Sequence, residues 1–393
     1  MNLDYDVIVV GGRVAGSSTA LLLARLGYRV LIIDRSHPGK DTLSTHAIMR
    51  SGVLQLQRWG VLQRILDQGT PAIRRIVLGF GEQEIGFDFR EAFGVAALYA
   101  PRRYILDTEL LAAAVEAGAE FRQGYRLLDL LFDEEGRVTG VQVNANGTPS
   151  VLRARFVVGA DGMRSRVAAA VKAPAYERHP AVSSYTYGYF AGIASGSYDA
   201  YFVPGLAAGF IPTNEGLTAV FTARPNTGNL INDDEFYRLA AAASPNMATH
   251  LQTAELVSPF YRTLGIPGFL RVPGGPGWAL VGDAGFTKDP VSAHGISDAL
   301  RDAELLANAL DAVLAERTSE WEALNSYHLT RDRFALPQHR ATRTLAEYGW
   351  DEAEASALMR RLGQLTEEEC DFHLTSMPSA TNLQSDPMAM SFA

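Results

Sequence analysis

An α/β fold is predicted, in which a parallel-sheet domain is interrupted by an antiparallel sheet and followed by a C-terminal helical segment. Three observations predict it. A short apolar strand, Val7 to Val10, runs into a glycine turn and a helix, and a second apolar run, Val30 to Ile33, ends in Asp34. Two later apolar runs, Phe156 to Ala160 and Ala279 to Val281, also stop where an acid stands beside a glycine, at Asp161-Gly162 and Gly282-Asp283. Between these runs, long stretches alternate apolar and polar residues with the period of half-buried strands.

Size and composition narrow the function classes. A chain of 393 residues, 47% hydrophobic, can bury a large core and suggests two or three structural units. The 35 Lys and Arg are scattered among 44 acids for a net charge of -9, so no basic stripe awaits nucleic acid. Cys370 is the single cysteine, which rules out an internal disulfide and fits a reducing cytoplasm. Val7 to Val10 is too short for a leader or a membrane span, so integral membrane association is not expected. The histidines show no metal-ligand spacing, and no metal site is predicted.

Taken in order, the chain divides into six stretches. Residues 1–72 carry the first βαβ unit, a loop through His37, Pro38 and Gly39, and two short helical patterns, Gly52 to Trp59 and Val61 to Gln68, stopped by Gly60 and Gly69. Residues 73–98 alternate as a hairpin (Ile76, Leu78, Phe80, then Ile85, Phe87, Phe89). Residues 99–180 return to the first domain with a helix from Asp107 to Ala117, strands turning at Asp133 to Gly136, and the strand ending at Ala160. Residues 181–263 form a second β-sheet domain, residues 264–315 the last piece of the first, and residues 316–393 a helical region. That region opens with a helix from Glu320 to Arg333 and closes with a tail from Ser376 that reads as a loose surface strap.

The glycine turn carries a chemical message. Gly11 and Gly16 match the ends of G-x-G-x-x-G, and Asp34 follows 18 residues after Gly16. Such a turn lets a pyrophosphate approach backbone N–H groups, the helix offers its positive end, and the acid bonds an adenosine ribose. Arg13 stands where the middle glycine belongs, so its side chain either points away from the phosphates or reaches round to pair with them.

The order of glycine fingerprint, Asp161-Gly162 segment and Gly282-Asp283 segment, followed by Asp289-Pro290 and His294-Gly295-Ile296, resembles the aromatic-hydroxylase-like flavoproteins over roughly residues 4 to 335. That superfamily includes FAD-dependent monooxygenases, geranylgeranyl reductases and flavin-dependent halogenases. The resemblance implies a Rossmann-like FAD-binding domain with an inserted antiparallel β-sheet substrate domain. It implies that Gly11, Gly12, Gly16 and Asp34, with Arg13, Ala15 and Arg35 of the same segments, hold the ADP half of FAD. By the same resemblance Gly282 and Asp283 meet the ribityl chain, Asp161 and Gly162 lie near the cofactor, and Arg103 approaches the flavin from the side. Physical reasons accompany it. Pro290 has no N–H, so its loop can lie flat on an isoalloxazine, and Gly295 and Ile296 open a long helix whose positive end would stabilise reduced flavin.

The reaction expected is that of an FAD-dependent oxidoreductase using NAD(P)H, a monooxygenase acting on an apolar polycyclic or polyketide-like metabolite. No second dinucleotide fingerprint exists, so NAD(P)H docks transiently or a separate flavin reductase supplies electrons. A reductase of free flavin or of C=C bonds is the alternative, and a non-catalytic binding protein on the same fold a third reading. Halogenation is disfavoured, because no Trp-x-Trp-x-Ile-Pro stretch occurs. Tyr185, Tyr187, Tyr189 and Phe210 are expected to wall the substrate pocket. His46 and His294, in the loops expected to flank the flavin, are candidates to move protons.

Overall fold

The computed structural model describes residues 3–36, 39–44, 46–145 and 147–376. His37, Pro38 and the tail 377–393 lie outside the described residues. Strand Tyr5–Val10 occupies the middle of a parallel sheet, with Val30–Asp34 on one side and Thr148–Gly159 on the other. Glu120–Gln123 extends the sheet beyond Val30–Asp34, and Trp278–Leu280 extends it beyond Thr148–Gly159. Both faces are covered, which is why these strands read as unbroken Val and Ile runs. Helices Val14–Arg25, Arg103–Glu116 and Gly295–Leu314 bury Leu21, Leu110 and Leu300 on one face. The hairpin Tyr125–Phe132 and Val138–Ala145 covers the other, packing Leu127, Leu130 and Val141 against Ile8, Leu31 and Val157. Because the strands run parallel, Gly11, Asp34, Asp161 and Asp283 arrive along one edge of the sheet.

A second sheet pairs Ser183–Ala191, Thr218–Pro225, Leu206–Pro212 and Ser197–Val203 antiparallel. The hairpin Arg75–Phe80 and Gln83–Asp88 joins its far side, Arg75–Phe80 lying parallel to Ser197–Val203. Alternation divides its aromatics. Tyr185, Tyr187 and Tyr189 face the dinucleotide-binding domain, whereas Phe190, Tyr201 and Phe210 pack on the opposite face against two helices, Asp233–Ala243 and Pro245–Leu251. Those helices correct the reading of 181–263 as sheet alone. Asn232 accepts the Glu235 N–H, and three acids follow in the first turn, a start signal that was present in the sequence.

The C-terminal helices also run further than expected. Ser319 and Glu322 form a capping box, and helix Glu320–Ala346 continues through Pro337 rather than ending at Arg333. Pro337 forfeits one backbone hydrogen bond, but the buried side chains of Ala335, Gln338, His339 and Thr342 hold the helix on both sides of it. A last helix, Glu352–Ser376, sets Ala355 and Leu362 against the second sheet.

Candidate active site

The strand ends enclose one cleft of about 580 Å³. Gly11, Asp34, Arg103, Asp161, Asp283 and Gly295 all border it, so segments separated by up to 284 positions (11 to 295) converge there. Arg13, Ala15, Arg35, Gly162, Gly282, Pro290 and Ile296 border it too. A cavity of about 710 Å³ on the outer face of the second sheet, lined by Asp199, Asn246 and His250, receives none of these segments.

The fingerprint glycines are required by contact. Gly11 has φ +111°, and a Cβ there would lie 2.4 Å from the Ala160 carbonyl oxygen, while one on Gly16 would lie 1.9 Å from the Gly11 carbonyl oxygen. The helix they introduce receives no side-chain cap from Arg13, and its first N–H groups open toward the cleft. Arg13 turns sideways: Nη1 donates to Thr42 Oγ1 at 3.1 Å, and Nε stands 4.0 Å from Asp107. Asp34 is held from two sides, accepting the Gly12 N–H at 2.8 Å and the Ser36 N–H at 2.7 Å. Each carboxylate oxygen keeps a lone pair for a ribose hydroxyl.

Asp161 divides its work. One oxygen accepts the Arg166 N–H at 2.7 Å, capping a short helix, while Oδ1 is buried without a partner among the described residues. Burial pushes its carboxyl above the usual range. Arg103 does not float free beside the cleft but grips Asp107 through two nitrogens at 3.0–3.1 Å. Asp283 opens into the cleft yet lies deep below the outer surface. Burial, against the opposing pull of Arg103, raises its pKa to about 6.

At the far end, Asp289 caps the turn Pro290–Ser292 through the Val291 N–H at 3.0 Å and also accepts the hydroxyls of Ser183 and Tyr185. The second sheet is thereby fastened to the Pro290 loop. Helix Gly295–Leu314 starts without a side-chain cap, and a Cβ on Gly295 would meet nothing within 4 Å, so its positive end faces open space. His294, by contrast, turns away. Its Nδ1–H donates to the Ser292 carbonyl within the loop, and Nε2 meets Thr366 Oγ1 at 3.0 Å, which ties the loop to the C-terminal helix. His46 does border the cleft, its Nε2 paired with the Tyr189 hydroxyl. Tyr187 stacks on Tyr261 with centroids 5.0 Å apart and accepts the Ser44 N–H at 3.3 Å. Phe210, fully buried behind the sheet, is separated from this wall by the sheet itself.

Two uncapped helix ends, a doubly held acid at a strand end and a polar floor are what an extended dinucleotide with a flavin head needs. Residues 4–201 match the family model described as an FAD binding domain. The chain belongs to that FAD-binding family. It is 26% identical over 361 residues to the 1H-pyrrole-2-carbonyl-(peptidyl-carrier protein) chlorinase of Pseudomonas fluorescens, covering 83% of this chain and 79% of that one. It is 32% identical over 180 residues to aklavinone 12-hydroxylase DnrF of Streptomyces peucetius, a match that covers 42% of this chain and 37% of the hydroxylase. A solved structure of a Pseudomonas aeruginosa PqsL variant shares the fold, with a TM-score of 0.78 at 21% identity over 91% of this chain and 99% of that one. FAD is the cofactor, and the protein is an FAD-dependent oxidoreductase.

In this flavoprotein the raised Asp283 has a measurable consequence. Its folded pKa, about 6, lies above the ordinary carboxyl value. Its contribution to stability is therefore complete below pH 4 or so and is lost as pH rises through about 6. Asp283→Asn removes that loss, screened in part by water in the cleft. The FAD-free variant should melt about a degree or two above wild type at pH 8 and nearly level with it at pH 4. A gap of equal size at both pH values, read by thermal melting, refutes the assignment.

Proposed function

We propose that the flavoprotein is a monooxygenase that draws electrons from NAD(P)H and oxygenates an apolar, polycyclic or polyketide-like small molecule. One observation carries the reading. The tyrosine face of strand Ser183–Ala191 is joined to both loops beside the cleft, Tyr185 to Asp289 and Tyr189 to His46. A ligand resting on that aromatic face would lie against the flavin, sealed from water by the sheet. Bound FAD supplies hydride acceptance and, when reduced, oxygen activation. The chain's own part is to orient and enclose. Asp34 and the fingerprint turn anchor the adenosine end, the end of helix Gly295–Leu314 favours negative charge on the flavin ring, and Tyr187 and Tyr189, fixed by Tyr261 and Arg102, give the second sheet an aromatic backing on that side. The aklavinone hydroxylase relative supports a fused-ring substrate.

The chlorinase relative supports a second reading, halogenation. Lys288, which borders the cleft, is occupied by Asp298 and by Gln338 Oε1 at 3.1 Å, an arrangement that leaves it little freedom as a halogen carrier. One experiment separates these outcomes. NAD(P)H oxidation and peroxide release are followed with a panel of polycyclic phenols, with and without oxygen and with and without chloride and bromide. Oxygenation predicts a compound that speeds NAD(P)H consumption, suppresses peroxide and yields a hydroxylated product only in air. Product formed without oxygen would mark a reductase, and a halogenated product the second reading.

A further inference from the structure

His46 stands in the loop between Asp41 and helix Arg50–Arg58 with φ +67°, a left-handed backbone that a side-chain-bearing residue keeps only where its surroundings enforce it. The imidazole is 1% exposed. Its Nε2 is paired with Tyr189, but Nδ1 is buried without any partner among the described residues. Leaving such an atom unpaired costs about 1–3 kcal/mol. A strained backbone that holds an unpaired nitrogen beside a cofactor cleft points to a partner that arrives with the cofactor.

The proton on that nitrogen can be assigned from the neighbours. Burial keeps the Tyr189 phenol protonated far above its ordinary range, and a phenol O–H is the better donor while an imidazole nitrogen is the better acceptor. Tyr189 therefore donates to Nε2, and the hydrogen of His46 resides on Nδ1. Burial first, then the charges of Arg103 and Arg102, hold the ring neutral. The Arg102 guanidinium lies 3.7 Å over the Tyr189 ring and is paired with Asp41, which fixes the phenol in place.

The loop's position identifies the acceptor. Met49 N–H donates to Ser297 Oγ at 3.0 Å, and Gly52 is packed so tightly on Ser297 that a Cβ would lie 2.7 Å from that oxygen. The His46 loop thus rests on the first turn of helix Gly295–Leu314, the end that would meet the flavin ring.

We propose that His46 is a neutral hydrogen-bond donor whose Nδ1–H is offered to a carbonyl oxygen of the flavin ring, with Tyr189 as its positioning residue. A donor there stabilises negative charge on the reduced ring and raises the flavin's reduction potential. This differs from a proton-carrying role, since His46 keeps its hydrogen throughout. It rests on FAD occupying the cleft and not on what the reduced flavin does next.

The test uses the FAD-loaded full chain. Redox titration of wild type, His46→Phe, His46→Gln and Tyr189→Phe should show His46→Phe about tenfold harder to reduce at a fixed poise, a shift of about 30 mV. His46→Gln, which keeps an N–H, should recover part of the shift, and Tyr189→Phe should fall between. Nitrogen-15 NMR of histidine-labelled wild type should show the Nδ1–H tautomer at neutral pH and a displaced Nδ1–H resonance on FAD loading. An unchanged potential in His46→Phe overturns the proposal. So does an Nε2–H tautomer, an imidazolium, or an Nδ1–H signal indifferent to FAD, and these hold even should the variants fail to load cofactor.

Discussion

Gly16→Ala yields a protein that no longer retains FAD. The new Cβ would sit 1.9 Å from the Gly11 carbonyl oxygen and 3.1 Å from the Ala160 side chain, and the first of these neighbours is backbone that cannot swing aside. Either the helix Val14–Arg25 moves off the strand or the turn at Gly11 opens. Gly11 cannot yield easily, because its own Cα faces the Ala160 carbonyl, where a Cβ would come within 2.4 Å. Overpacking of this kind costs about 1–3 kcal/mol of stability. The larger effect should fall on the cofactor, since the displaced helix end is the one proposed to receive the pyrophosphate, and affinity should drop by about a hundredfold or more for a loss near 3 kcal/mol. Dialysed wild type should stay yellow with one FAD per chain, and the variant should emerge colourless and melt lower. A Gly16→Ala protein that holds FAD at wild-type affinity would show that the pyrophosphate does not lie at this turn.

The parallel sheet explains why so much of the cleft's lining was legible in the sequence. Gly11, Asp34, Asp161 and Asp283 each end a parallel strand, and parallel strands deliver their ends to one edge, so an order of motifs becomes a place. The tyrosines of Ser183–Ala191 were legible for a similar reason, as alternation alone puts 185, 187 and 189 on one face. Which face a neighbouring strand's aromatics occupy depends on register, which no local pattern reveals. Phe210 pairs with Val220, and Tyr189 pairs with Ala219, so Phe210 falls on the side opposite the tyrosines. Arg13 and His294 depended on tertiary partners, Thr42 and Thr366, that lie 29 and 72 positions away. Helix Asp233–Ala243 announced itself in its Asn232 cap and acidic first turn, whereas Pro245–Leu251 spans only seven residues, too few to show a helical period.

The charges in the long flavin-side helix were the least legible of all, and they carry the other large prediction. Asp298, Arg301 and Asp302 sit at i, i+3 and i+4, a spacing that reads as a solvated helix face. The C-terminal helix Glu352–Ser376 covers that face instead. Arg301 has no exposed side-chain surface and donates to Asp298 at 2.9 Å, to Asp302 at 2.8 and 3.0 Å, and to Glu369 at 3.3 Å. Lys288 binds Asp298 from the cleft side. Two cations thus hold three carboxylates in the interior, and Arg301 touches every one of them. Burial works against ionisation of Asp298, yet Lys288 and Arg301 hold it below the usual carboxylate range, while burial leaves Asp302 above it. Arg301→Met keeps the volume and removes the charge, leaving Asp302 and Glu369 without their shared partner. The FAD-free variant should lose about 3–5 kcal/mol at pH 7.5. The sign of the pH dependence follows from the same groups. With the guanidinium gone, the Asp302 carboxyl, already raised by burial, loses the charge that opposed that rise, so the stability it allows is present at low pH and lost as pH rises. The deficit should therefore narrow toward pH 5, whereas a simple packing defect leaves it unchanged. Urea unfolding of both proteins at pH 5 and pH 7.5 decides it, because a cavity costs the same at either pH and an uncompensated carboxylate does not.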